Sequence, residues 1–156
     1  MSCILHIETS TAVCSVAVSQ DGAVLCEKVD QDGPNHAVVC GPYVEEVLSF
    51  AESHAIPVDA VAVSEGPGSY TGLRIGMAEA KGLCWALDIP VIGVSTLEAM
   101  AFGGPDMDGT MLCCAMDARR GQVYNALFTI KGGAPVRLTE DRAIAVAELE
   151  PELLSY

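Results

Sequence analysis

The order of its apolar segments predicts an α/β protein, a mixed sheet with helices on its faces followed by the start of a second copy of the same pattern. Three observations carry this prediction. Strand-like and helix-period runs succeed one another as β-β-β-α-β-α-β-α; Asp21-Gly22 ties two early strands into a hairpin; and the chain beyond Gly103 repeats the opening strand-turn-strand arrangement.

Cys3 to Glu8, Ala12 to Ser19 and Ala23 to Val29 read as strands, with Asp21 and Gly22 both able to take the positive φ that a two-residue turn needs. A polar stretch from Asp30 to Asn35 leads into a first helix, His36 to His54, whose Val44, Val47, Leu48 and Ala51 share one face. Gly41-Pro42 is expected to delay or kink it, because proline lacks an amide donor and crowds the preceding turn. Pro57 closes the helix. Ala60 to Ser64 is a short buried strand, followed by a glycine-rich loop and a second helix from Thr71 to Leu87. Val91 to Val94 is a further strand, after which Ser95 or Thr96 caps a short helix through Phe102, with Glu98 reinforcing the cap.

Gly103-Gly104-Pro105-Asp106 to Gly109 reads as a linker, giving a first domain over 1–102, a linker over 103–110 and a second domain over 111–156. In the second domain Met111 to Asp117 is a strand ending in an acid, as Cys3 to Glu8 does. Gln122 to Ile130 alternates, Lys131-Gly132-Gly133 turns, and Pro135 to Leu138 is a third strand. Ala147 to Tyr156 begins a helix, but the remaining β-α-β-α of the copy does not follow. The second domain is therefore expected to be incomplete, through either an artificial boundary or a shortened natural variant.

The chain has 156 residues, 51% hydrophobic and 19% charged, enough to bury a globular core. No apolar run approaches the roughly 20 residues that span a bilayer, and the N-terminus lacks a basic signal-peptide region. A cytoplasmic location is expected. Seven cysteines without CxxC or Cys/His spacing argue against a disulfide or zinc framework and for thiols kept reduced. The net charge of −13, with only eight Lys and Arg, leaves little to neutralise a phosphate backbone, so this chain is not expected to hold tRNA by itself.

Several segments admit a functional reading beside a structural one. Gly66-Pro67-Gly68-Ser69-Tyr70-Thr71-Gly72 joins a buried strand to a helix, where loop amides and the helix dipole make an anion site. It equally suits a tight turn, and no Lys-Ser or Lys-Thr follows as in a Walker loop. Glu8, Thr9 and Ser10 stand at a strand turn where nucleotide-binding folds of this topology place metal and phosphate contacts; a capped turn explains them as well. Asp117-Ala118-Arg119-Arg120-Gly121 occupies the matching turn of the second copy, where two arginines replace the glycines a phosphate turn wants, although Arg119 suits a carboxylate or phosphate brought by a partner. Gly72, Gly76, Ala80 and Cys84 form a small-residue stripe, either packed on the chain's own sheet or open to another subunit. His6, His36 and His54 have no metal-pair spacing, and no nucleophile, acid–base couple or metal set is marked out.

Ile4-Leu5-His6-Ile7-Glu8-Thr9-Ser10, Glu65-Gly66-Pro67-Gly68-Ser69-Tyr70-Thr71-Gly72-Leu73-Arg74-Ile75-Gly76 and Ile89-Pro90-Val91-Ile92-Gly93-Val94-Ser95-Thr96-Leu97-Glu98 closely resemble the TsaB (YeaZ) family, and Asp117 to Tyr124 adds a fourth match. The resemblance implies a duplicated actin-like, RNase H-like ATPase fold. In the related TsaD family, which transfers threonylcarbamoyl, a metal is held by two histidines four residues apart just after a Gly-Val strand end. Here those positions are Thr96 and Met100, which cannot supply imidazole ligation. The resemblance therefore implies a non-catalytic scaffold of the tRNA threonylcarbamoyladenosine (t6A37) machinery that binds TsaD and recruits the small ATPase TsaE.

The expected site residues follow from that reading. Glu8, Thr9, Ser10, Gly66, Gly68, Ser69, Asp117 and Arg119 are vestigial nucleotide or anion contacts. Val39, Tyr43, Gly72, Arg74, Gly76, Ala80 and Cys84 form the subunit interface, used for TsaD and for a homodimer when the chain is alone. No catalytic residue, metal or intrinsic cofactor is expected; ATP or ADP enters at an interface with partners, and tRNA is met only through the complex. The rivals are an autonomous ATP-binding enzyme of the sugar-kinase and actin-like class, built on Glu8, Thr9, Ser10 and Asp117, and a binding module unconnected with tRNA.

Overall fold

The computed structural model describes residues 2–155 and divides into two compact units, 1–94 and 95–156. In the first unit β1 (Cys3–Glu8), β2 (Cys14–Gln20), β3 (Ala23–Asp30), β4 (Ala60–Gly66) and β5 (Val91–Ser95) form one sheet in the order β3-β2-β1-β4-β5. The first three strands are antiparallel, with Cys3 opposite Gln20 and Cys14 opposite Asp30, whereas β4 runs parallel to β1. That switch follows from the connections. Asp21 at φ 49° and Gly22 at φ 84° close a two-residue hairpin, while a parallel strand has to be reached by a crossover helix.

The crossovers are α1 (His36–Ser53) and α2 (Tyr70–Leu87), and both cover one face of the sheet. Period-2 alternation puts Cys3, Leu5, Ile7, Cys14, Val16, Val18, Val61 and Val63 on that face, where they bury with Cys40, Val44 and Val47 of α1 and Ala80 and Cys84 of α2. Helix α1 begins at His36 and carries Pro42 inside it, so the start is not delayed as the Gly41-Pro42 pair predicts. Pro42 is solvent-exposed, on the side of α1 away from the sheet, where water can serve the carbonyl left without a donor.

The second unit holds α3 (Thr96–Phe102), β6 (Met111–Arg119), β7 (Gln122–Lys131), β8 (Ala134–Arg137), β9 (Arg142–Ala145) and α4 (Val146–Leu153). β6, β7 and β8 form an antiparallel meander that repeats the opening of the first unit. β9, which sequence periodicity does not reveal, also pairs with β7, with Gln122 opposite Ala145. Between β8 and β9, Leu127 keeps its backbone bonds by other means: its amide donates to Thr139 Oγ1 at 2.9 Å and its carbonyl accepts from the Leu138 amide at 2.8 Å.

Helix α3, which the sequence reading joins to the first domain, groups with the second unit. Its Leu97 and Ala101 bury against Cys114, Ala126 and Phe128. Arg137 on β8 then donates to Ser95 Oγ at 3.1 Å and Glu98 at 3.2 Å, and its guanidinium lies 4.8 Å from the Phe128 ring centre. Ser95 caps α3 by accepting from the Glu98 amide, as the sequence predicts.

Candidate functional site

Two loops of the first unit close on each other. Strand β1 ends at Glu8, and Thr9 and Ser10, 0% and 1% exposed, turn towards β2. Strand β4 ends at Gly66, and the loop to α2 lies on that turn, with the Ser69 amide donating to the Ser10 carbonyl at 2.7 Å. Glycines make the approach possible. A Cβ on Gly68 would strike the Ser10 carbonyl and side chain, one on Gly72 the Thr9 carbonyl, and one on Gly76 the Thr9 hydroxyl.

The polar groups of this junction are largely spent inside the chain. Glu8 Oε1 accepts from the Ser10 amide at 2.6 Å, and Oε2 accepts a short hydrogen bond from Ser64 Oγ. Ser69 caps α2: its hydroxyl accepts from the Gly72 amide at 3.3 Å and its carbonyl from the Leu73 amide at 2.8 Å. Of the amides that would cradle an anion, those of Ser69, Gly72 and Leu73 therefore already have acceptors. Thr9 Oγ1 and Ser10 Oγ are buried without a partner, shut in by Gly76 and Gly68.

Glu8, Thr9, Ser10, Gly66, Gly68 and Ser69 are thus brought together, as the sequence suggests. Asp117 and Arg119 stand in the second unit at the β6–β7 turn, where Asp117 Oδ1 accepts from the Arg119 amide at 2.7 Å. Arg119 and Arg120 both take positive φ, 67° and 52°, before Gly121 at 76°. Arginine is a costly choice there, and the ordinary turn residues Asn and Asp would have been expected. Thr96 is buried and Met100 is 41% exposed one turn later on α3. Among the described residues no group of three or more His, Cys, Asp or Glu is placed to hold a metal.

The small-residue stripe resolves in favour of internal packing. Gly72, Gly76, Ala80 and Cys84 are all buried in the chain itself, the two glycines on Thr9 and the other two in the core against the sheet, so they are not free to meet another subunit. Val39 and Tyr43 are half-buried against that same core. Of the expected interface residues Arg74 alone is exposed, its guanidinium 5.4 Å from the Tyr70 ring centre and donating to the Tyr70 hydroxyl at 3.1 Å.

Sequence reasoning overlooked the outward side of α2. Tyr70 is 74% and Trp85 91% exposed there, and a shallow depression of about 440 Å³ is lined by Glu65, Tyr70, Leu73, Arg74, Met77, Ala78 and Lys81. The signal was available in the spacing, since the positions opposite Gly72, Gly76, Ala80 and Cys84 on a 3.6-residue period are 74, 78, 81 and 85.

The arrangement of a β-β-β-α-β-α unit followed by a second β-meander defines a duplicated actin-like protein. The comparisons agree: the family model for TsaD, tRNA N6-adenosine threonylcarbamoyltransferase, matches residues 21–154. The tRNA threonylcarbamoyladenosine biosynthesis protein TsaB of Bacillus subtilis is 37% identical over 145 residues, covering 93% of this chain and 63% of that protein. TsaB of Escherichia coli is 40% identical over 131 residues, covering 80% and 54%. YeaZ from Pseudomonas aeruginosa superposes with a TM-score of 0.77 at 30% identity, covering 92% of this chain and 67% of that one. The chain belongs to the TsaB (YeaZ) family within this TsaD-type group, and it spans about half to two thirds of the length of these relatives.

Proposed function

We propose that the chain is a non-catalytic scaffold or activator of the machinery that makes threonylcarbamoyladenosine in tRNA, binding TsaD and recruiting TsaE. The family supports the pathway, since relatives at 37% and 40% identity are named for it. The observation that carries the non-catalytic role is the commitment of Glu8: its two oxygens serve Ser10 and Ser64, leaving no carboxylate oxygen without a partner at the turn where this topology would hold a metal-bound nucleotide. ATP or ADP then belongs to an interface with partners. A chain of net charge −13 meets tRNA only through the complex, and its place is the cytoplasm.

The contact with TsaD uses the outward side of α2, around Tyr70, Arg74 and Lys81, because the small-residue stripe is spent on the chain's own core. Reconstitution tests this. The chain, TsaD and TsaE from one organism are incubated with unmodified tRNA and the threonylcarbamoyl donor, and the modified nucleoside is measured by mass spectrometry. The chain alone forms no product, and adding it to TsaD and TsaE raises their yield. Product from the chain alone, or an unchanged yield on its addition, contradicts the proposal.

A further inference from the structure

The turn between β6 and β7 puts two arginines where the backbone does not favour them. Arg119 and Arg120 stand at φ 67° and 52°, in the left-handed region that Gly, Asn or Asp would occupy at less cost. The turn is anchored on both sides: Asp117 Oδ1 accepts from the Arg119 amide at 2.7 Å, and the Gly121 carbonyl accepts from the Val146 amide at 3.1 Å. Both bonds use backbone atoms of the turn, so the fold needs its shape and not its arginine side chains. Those side chains are exposed, and neither guanidinium has a hydrogen bond or an ion pair among the described residues. Acidic side chains outnumber Lys and Arg by 21 to 8, and Lys28, Arg137 and Arg142 each hold a carboxylate of the chain. Arg119 and Arg120, its one adjacent pair of cations, hold none.

We infer that Arg119 and Arg120 grip phosphates of the tRNA backbone when this chain stands in complex with TsaD. The inference rests on the function proposed above and gives this chain a direct hold on the substrate of that machinery, in the second unit and not on α2. Strain kept at two successive residues is accounted for when their side chains act outside the fold. A guanidinium takes phosphate through paired N–H groups. The two anchoring bonds, with the shift of the β6–β7 register between Asp117 and Arg119, hold the turn in one shape before binding, which limits the cost of ordering it. The surroundings favour phosphate over a carboxylate of a protein partner. Protein contacts are centred on large anchors, and from Leu112 to Ile130 no large apolar side chain is exposed. Val146, exposed where its amide meets Gly121, is of a type that rarely anchors one. Two phosphate contacts are too few to hold tRNA against a net charge of −13, in keeping with binding through the complex alone.

Filter binding of unmodified tRNA to the complex of this chain with TsaD, repeated over a range of salt, tests this with Arg119→Asn/Arg120→Gly and Arg119→Lys/Arg120→Lys. The first pair of substitutions suits positive φ and removes both charges; the second keeps the charges. The first raises the Tm of the chain by about 2–4 °C, while tRNA affinity falls at least about fivefold. The slope of log affinity against log salt becomes shallower by about one to two. The second pair keeps the wild-type slope. Unchanged affinity and slope in the first variant overturn the inference, and so does a second variant that loses the slope. A fall in Tm or a failure to fold makes the arginines structural, and loss of TsaD from the complex makes their ligand a protein; either result overturns it. Failure of the underlying reading shows separately, in a wild-type chain that neither joins TsaD nor raises the product yield.

Discussion

The carbonyl oxygen of Thr9 occupies the space that a side chain on Gly72 would need. This contact joins the β1–β2 turn to the first turn of α2 and explains why a glycine recurs every fourth residue at 68, 72 and 76: each meets the Thr9-Ser10 turn. Gly72→Ala should therefore cost about 1–3 kcal/mol, since a backbone carbonyl cannot swing aside as a side-chain tip can. Gly82, on the same helix with nothing within 4 Å of its would-be Cβ, is the control. Gly82→Ala should stabilise by about 0.5–1 kcal/mol through helix propensity. Urea titration of both variants measures the contrast.

Glu8 links the same turn to β4 through Ser64. Replacing it by alanine leaves the Ser10 amide and the buried Ser64 hydroxyl without their acceptor, so Glu8→Ala should lower stability by about 1.5–3 kcal/mol in the same titration. An unchanged midpoint would mean that this carboxylate is not structural.

His6 is half-buried on β1, with Nε2 2.7 Å from Ser19 Oγ, and burial lowers its pKa below the ordinary histidine value. The unfolded chain then takes up the proton first as pH falls. This contribution to stability is complete above about pH 6.5 and is lost progressively below it until the folded value is passed. Thermal unfolding from pH 7.5 to 5 should show a fall in Tm that is smaller in His6→Gln.

The thiols divide by burial. The pKa of Cys40 is pushed up to about 12, first by burial and then by the neighbouring Cys14, and burial also raises Cys3, Cys14, Cys84 and Cys114. Cys113 is exposed. An aromatic disulfide reagent at pH 8 should modify Cys113 fast and these five only on unfolding, as peptide mass mapping would show.

Much of the first unit was legible because its signals are local: Asp21-Gly22 fixes a hairpin, and periods of 2 and 3.6 separate strands from helices. What escaped depends on distance. β9 is four residues long and becomes a strand only by pairing with β7. The membership of α3 is decided by Leu97 and Ala101 finding Phe128, 27 residues further on or more. The small-residue stripe fitted two environments equally well until Thr9 was placed against it. The α1 start at His36 shows that an exposed proline in the second turn of a helix is tolerated where packing of Val44, Val47 and Ala51 holds the helix.

The role proposed for the chain, acting through partners, requires that the Glu8–Ser10 turn, whose carboxylate is taken up by Ser10 and Ser64, hold no nucleotide of its own. Isothermal titration of magnesium-ATP into the purified chain tests it most directly. No saturable heat is expected up to millimolar nucleotide. A stoichiometric isotherm that disappears in Glu8→Gln would contradict it.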